Sequence, residues 1–227
     1  MVRLADLSWP DVADRAASGA ILAVPVGATE QHGPHLPLTT DTDIALELCD
    51  RLAGARPQVV VAPAVPYGSS GEHAGFAGTL SIGQEATEFL LLELGRSAAE
   101  TFGRVLFVSA HGGNTGPVTR AAARLRAESR DVSVFSPSWP GEPHAGRAET
   151  ALQLAMRPEG VRMERAVAGD RRPIGELLPL LREGGVRAVT TTGVLGDPRS
   201  ATAAEGAELL GELTAALVSH VDGWGRG

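Results

Sequence analysis

The twenty residues VPVGATEQHGPHLPLTTDTD, positions 24–43, hold one Glu, two His, two Asp and one Gln directly after an apolar run. Carboxylate oxygens and imidazole nitrogens at that density suit Zn²⁺, Mn²⁺ or Fe²⁺. In extended backbone, residues i and i+2 point the same way. Glu30 and His32 therefore face one cavity while Gln31 turns aside. Asp41 comes back across that cavity from the first turn of the following helix, and an Asp can present both oxygens to two neighbouring cations. A competing reading makes the stretch a capping network in which Asp41 merely caps the helix. That reading accounts for Asp41 and leaves two imidazoles unexplained.

Other segments carry groups of the same character. Ser70, Glu72 and His73 sit in a Gly- and Ser-rich stretch, YGSSGEHAGFAGTLSIG at 67–83. His111 and Asn114 lie in HGGN, where Gly112 and Gly113 leave room for close approach by a metal or substrate. His144 and Glu149 follow in HAGRAET. His111 and Glu149 are candidate metal ligands beside Glu30, His32 and Asp41, and His144 is a candidate proton shuttle. Asn114 either orients a ligand or caps the next helix. Glu72 and His73 are assigned to loop ordering or substrate contact in preference to ligation. His35 and Asp43 are assigned supporting roles, and His220 a structural one.

Several chemistries lack their signatures. The chain has no HExxH, no GxSxG nucleophile elbow and no phosphate-cradling GxxxxGK[ST]. Ser69 and Ser70 have no sequence-defined base and acid beside them. Cys49 is the only cysteine, so neither an intramolecular disulfide nor a thiolate-rich zinc site is available; its place in IALELCDRL predicts an inert core thiol.

The elements that must position these groups alternate. Continuous apolar runs predict strands at 20–26, 58–65, 104–110 and 131–137. Helices are expected at 41–53, 84–101, 116–128, within 144–156, at 174–182 and at about 201–219. Strands separated by helices of this length imply a largely parallel sheet covered on both faces, an α/β fold. Ligands of such folds sit beyond the C-terminal ends of the strands, where all the polar groups fall. With 227 residues and no internal repeat or linker, one domain over 1–227 is the simplest organisation.

A net charge of −7 without a basic tract argues against a nucleic-acid partner. The N-terminal stretch MVRLADLSWPDVADR has no signal-peptide pattern, and no apolar run is long enough to span a bilayer. A cytoplasmic protein with no membrane partner is the expectation.

Taken in order, GATEQHGPHLPLTTDTD, GSSGEHAGFAGTLSIG, SAHGGNTG, HAGRAET and TTGVLGDPRSAT resemble the creatininase family of metal-dependent amidohydrolases, over residues 20–210. The resemblance implies a compact three-layer α/β/α fold, a centre of two divalent ions (Zn, Fe or Mn) and a homo-oligomer, often a hexamer. It implies Glu30 and His111 as ligands of one ion, His32 of the other, and Asp41 as the bridge. Members that open creatinine carry a Glu where this chain has Gly113. That departure counts against a true creatininase and throws the missing carboxylate onto Glu149, as ligand and candidate general base. Arg147 and Ala151 also depart, from an acidic residue and a Ser, beside the site. Within the family the motifs resemble a branch of peptidases. These cut the modified C-terminal Val–Tyr unit from a small cofactor-precursor peptide by metal-activated water, with His144 passing a proton to the departing amine. A cyclic amide or formamide hydrolase with the same ligands is the alternative.

Overall fold

The structure, a computed structural model, describes residues 1–139 and 141–224. In chain order its main elements are β1 (Val2–Arg3), α1 (Trp9–Ala17), β2 (Ile21–Val26), α2 (Thr40–Ala55), β3 (Val59–Val61) and α3 (Gly83–Ala98). They continue with β4 (Arg104–Ser109), α4 (Thr115–Ala127), β5 (Val132–Phe135), α5 (Arg147–Met156), α6 (Ile174–Val189) and α7 (Ala203–Gly223). The strands form one sheet in the order β1-β3-β2-β4-β5, with every neighbouring pair parallel.

β2 is the central strand, and every one of its residues is buried. Its side chains alternate between two cores. Leu22, Val24 and Val26 pack with Val105 and Phe107 of β4 against Leu91 and Leu92 of α3 and Val118, Ala121 and Leu125 of α4. Ile21 and Ala23 face the other way, onto Ile44, Leu48 and Leu52 of α2, Leu152 of α5 and Leu210, Leu213 and Leu217 of α7. Each fully buried Leu, Ile or Val stabilises the fold by roughly 1.5–3 kcal/mol relative to exposure. The result is the three-layer α/β/α arrangement that an uninterrupted apolar strand requires.

Three segments differ from the sequence expectation. The strand expected over 58–65 ends at Val61, because Pro63 and Pro66 interrupt the ladder. The same early ending tolerates Pro25 inside β2: pairing with β3 stops at Ala23↔Val61, and the Pro25 carbonyl still accepts the Val65 N–H at 2.9 Å. The short helix expected at 174–182 runs on as α6 to Val189, through a bend at Gly185 with φ +67°. β1 and α1 fall in a part of the chain given no element by the sequence reading.

The sheet order places a reversal between β2 and β4. The chain leaves β2 through α2 on one face and leaves β4 through α4 on the other. Such a switch point opens a crevice beyond the strand ends. α6 belongs to neither layer and lies against the turn Gly71–His73 at that rim. A Cβ at Gly185 would stand 2.6 Å from the Glu72 carbonyl oxygen, so only glycine permits this approach.

Candidate metal centre

The loop after β2 delivers Glu30 and His32 into the crevice, both fully buried. The His32 ring is oriented by its own loop, Nδ1 lying 3.2 Å from the Glu30 carbonyl oxygen. With Nδ1–H donating there, Nε2 is the nitrogen that points at Asp41 Oδ1, 3.2 Å away, and at Glu149 Oε2, 4.0 Å away. Asp41 stands in the first turn of α2, and its second oxygen lies 3.5 Å from His111 Nδ1. One carboxylate thus presents a different oxygen to each of two imidazoles.

His111 follows β4 directly. Its Nε2 is 2.9 Å from the Ser69 carbonyl, 3.2 Å from Glu30 Oε2 and 3.5 Å from Glu72 Oε1. Glu149 lies in the first turn of α5 and accepts the Ala145 N–H at 2.6 Å. Ala145 reaches that position with φ +50°, a left-handed turn between His144 and α5. The His144 backbone is held from the opposite side, its carbonyl accepting the Leu195 N–H at 2.9 Å.

Gln31, which the alternation of the backbone turns aside from Glu30 and His32, connects the imidazoles. Its amide donates to His73 Nδ1 at 2.8 Å and to the Gly193 carbonyl at 3.2 Å. Its backbone carbonyl accepts from His144 Nε2 at 2.8 Å. His144 Nδ1 is left bare, 3.8 Å from Glu30 Oε1. His73, kept out of the ligand set by the sequence reading, is buried with Nε2 3.2 Å from Glu30 Oε1. Its Gly-rich neighbours gave no local sign that the loop folds inward.

The remaining candidates are supports. The Asn114 amide accepts the Ser69 N–H at 2.8 Å and donates to the Gly27 carbonyl at 2.9 Å, tying two loops together and capping no helix. His35 Nε2 bonds Thr150 Oγ1 of α5 at 2.8 Å. Asp43 pairs with Arg157 at 2.9 Å on the outside of the cluster. His220 bonds Ser133 at 2.8 Å, at the side of the sheet covered by α7. Cys49 is a buried free thiol.

The electrostatics of these groups are in conflict without a cation. Burial, with the Asp41 charge added, pushes the Glu30 carboxyl up to about 8. Burial likewise pushes Glu149 up to about 7, against the opposing pull of His32. Burial alone would lower His32, yet Asp41, Glu149 and Glu30 raise it to about 10. His144 is driven well below the ordinary imidazole value by burial and by His32 and His73, and His73 falls to about 3 by burial beside His32 and His111. Both Glu30 oxygens and Asp41 Oδ2 are buried and accept no hydrogen bond. Metal bonds of about 2.1 Å to a shared ion hold neighbouring ligand atoms about 3.0–3.5 Å apart. The 3.2 Å spacings of His32 Nε2 from Asp41 Oδ1 and of His111 Nε2 from Glu30 Oε2 match this.

Four overlapping groups can hold an ion: Glu30/His32/Asp41, His32/His144/Glu149, Glu30/Glu72/His111 and Glu30/His73/His144. Overlap of this kind fits a dinuclear divalent centre. The centre forms one end of a cavity of about 730 Å³. α6 also lines the cavity, contributing Ile174, Leu178 and Leu181 from one helical face, together with Arg182.

Comparison with known proteins gives a consistent result. The family model described as creatininase, creatinine amidohydrolase, matches residues 5–221. The chain is 49% identical over 213 residues to the mycofactocin precursor peptide peptidase of Mycobacterium tuberculosis (strain ATCC 25618 / H37Rv), covering 89% of this chain and 85% of the relative. It is 46% identical over 210 residues to the protein of the same name from Mycolicibacterium smegmatis (strain ATCC 700084 / mc(2)155), covering 90% and 85%. Among solved structures, a crystal structure of creatinine amidohydrolase (creatininase) superimposes with a TM-score of 0.84 at 24% identity, covering 100% of this chain and 99% of that one. That likeness is one of fold.

Proposed function

The chain belongs to the creatininase family, and from that premise we propose that it is a metal-dependent peptidase of mycofactocin maturation. It releases the modified C-terminal Val–Tyr-derived unit from the precursor peptide by hydrolysing the amide bond that joins them. The observation that carries this reading is the mixed lining of the cavity. Buried carboxylates and imidazoles, with neither Glu30 oxygen accepting a hydrogen bond, share the cavity with apolar side chains of α6. An apolar, aromatic peptide terminus matches those side chains, and its amide then reaches the polar groups.

Glu30, His32, Asp41, His111 and Glu149 would hold two divalent cations. Bound there, the cations supply polarisation of the scissile carbonyl and a lowered water pKa. The residues do the rest. Asp41, one oxygen toward each imidazole, fixes the spacing of the two halves. Gly112, with nothing within 4 Å of where a Cβ would stand, keeps that part of the cavity open to the peptide backbone. His144, held through Nε2 by the Gln31 carbonyl, has Nδ1 free to carry a proton to the departing amine. Ile174, Leu178 and Leu181 cover the apolar unit and exclude water from the bond being cut.

The test is incubation of metal-loaded protein with the modified precursor peptide, read by mass spectrometry. Loss of the terminal unit with one free amine per cut is the expected result. An intact peptide, alongside turnover of creatinine or a formamide, would replace this reading with that of a small-molecule amide hydrolase.

A further inference from the structure

Glu72 stands apart from the other acidic groups of the centre. It sits in the short turn Gly71–His73 and not at the end of a strand or helix. Its side chain is 33% exposed, against 0% for Glu30, 3% for Asp41 and 7% for Glu149. A glutamate with that access to water ordinarily turns outward. This one leans in, Oε1 3.5 Å from His111 Nε2. It lies directly over Gly113, where a Cβ would stand 2.3 Å from Glu72 Oε1 and 2.3 Å from the Ser69 carbonyl oxygen. The absent side chain at 113 is what leaves the carboxylate its place. Glu30, Glu72 and His111 each offer one atom, all within 4.8 Å of one another. Glu30 points into the same group independently, fully buried and with neither oxygen accepting a hydrogen bond.

Charge adds to this geometry. Two divalent cations carry four positive charges, and ligating imidazoles are neutral. Glu30, Asp41 and Glu149 supply three negative charges. An uncompensated charge is costly in a site so shielded from water. Among the described residues Glu72 is the only further carboxylate in the groups able to hold an ion, and before any water there loses a proton it brings the sum to zero. We infer that Glu72 is the fourth carboxylate of the centre, holding the ion on the His111 side together with Glu30 and His111. It lines the cavity and is the most exposed of the four carboxylates, so it would border the incoming substrate. This assignment rests on the metal centre proposed above.

The experiment titrates metal-free wild type, Glu72→Gln and Glu72→Asp with Mn²⁺ and with Zn²⁺ by calorimetry, without substrate. The electron paramagnetic resonance of the Mn²⁺ forms is recorded alongside. Wild type should take up two ions and give the signal of a coupled pair. Glu72→Gln, the same shape without the charge, should bind the second ion about 10- to 100-fold more weakly and lose the coupled signal. Glu72→Asp keeps the charge on a shorter arm and should recover part of the affinity. If Glu72→Gln fails to fold, as circular dichroism would reveal, the weakened second site of Glu72→Asp reads the same contact. Two ions bound at wild-type affinity in the folded variants overturn the role of Glu72 and leave the centre standing. A wild type that binds fewer than two ions overturns the centre itself, and Glu72 with it.

Discussion

Asp41 offers one oxygen to His32 and the other to His111, so its removal acts on both halves of the centre at once. Asp41→Ala should lose bound metal and lower the rate of amide hydrolysis by roughly 100-fold or more, measured by metal analysis and steady-state kinetics on the same sample. Retention of both ions by this variant would refute a bridging role. His144 makes a different prediction, because its free nitrogen serves a proton and its other nitrogen is tied to Gln31. His144→Ala should lower kcat by about 10²- to 10⁴-fold with metal content unchanged, and loss of metal instead would make His144 a ligand. Much at this scale was legible. Residue type and the i, i+2 alternation singled out Glu30 and His32, and acid beside imidazole in HGGN and HAGRAET singled out His111, His144 and Glu149. His73 and Glu72 were not, because their loop has no period from which a direction can be read. Gln31 turns away from the His32 side chain as alternation requires, and what it turns toward comes from distant loops.

At the scale of elements, α5 carries Glu149 and is located by α7. The two approach so closely that a Cβ at Gly206 of α7 would stand 1.9 Å from the Ala151 carbonyl oxygen of α5. Gly206→Val forces them apart and should cost about 1–3 kcal/mol. That lowers Tm by roughly 2–10 °C in a thermal melt followed by circular dichroism; an unchanged Tm would mean the contact is not as close as described. In the proposed function α6 meets the substrate and not the ions. Leu178 lies on its cavity face and is 40% exposed. Leu178→Asp should therefore raise KM for the peptide about 10-fold, near 1.4 kcal/mol, with metal content and Tm little changed; a fall in kcat alone would separate α6 from recognition. Continuous apolar runs made β2 and β4 readable in the sequence. α6 was read short because two adjacent glycines, Gly184 and Gly185, signal a stop, and the structure uses the second as a bend against the Glu72 turn.

For the molecule as a whole, the centre links stability to pH and metal. Glu30 and Glu149 rise from an ordinary 4.5 to about 8 and about 7, and His32 rises from 6.5 to about 10. Between its two values each such group binds more protons folded than unfolded, so stability falls as pH rises through that window. His35 and His73, lowered to about 4 and about 3, act in the opposite sense, but only below 6.5. From pH 6.5 to 8 the raised groups prevail, and the Tm of the metal-free protein should decline. Saturating Mn²⁺ should raise Tm and remove that decline, since ions bind the deprotonated ligands of the folded state. Scanning calorimetry with and without metal decides it; a metal-free Tm that climbs over this range contradicts the prediction. No helix among the described residues is long and apolar enough to cross a membrane.

Sequence alone determined the alternation of strand and helix and the kinds of ligand on offer, because both are local. A run of buried aliphatic residues can only be an inner strand or helix, and a carboxylate or imidazole keeps its chemistry wherever it is placed. Tertiary structure decided which of those groups meet. Glu30, Glu72, His111 and Glu149 converge only because the sheet runs β1-β3-β2-β4-β5 and its order of connection reverses between β2 and β4. That order follows from how two apolar cores close over both faces of β2, an outcome of long-range packing with no counterpart in the spacing of any one segment. The same packing leaves the space over Gly113 for a carboxylate from a different loop, which turns an apparent gap in HGGN into a position Glu72 can fill.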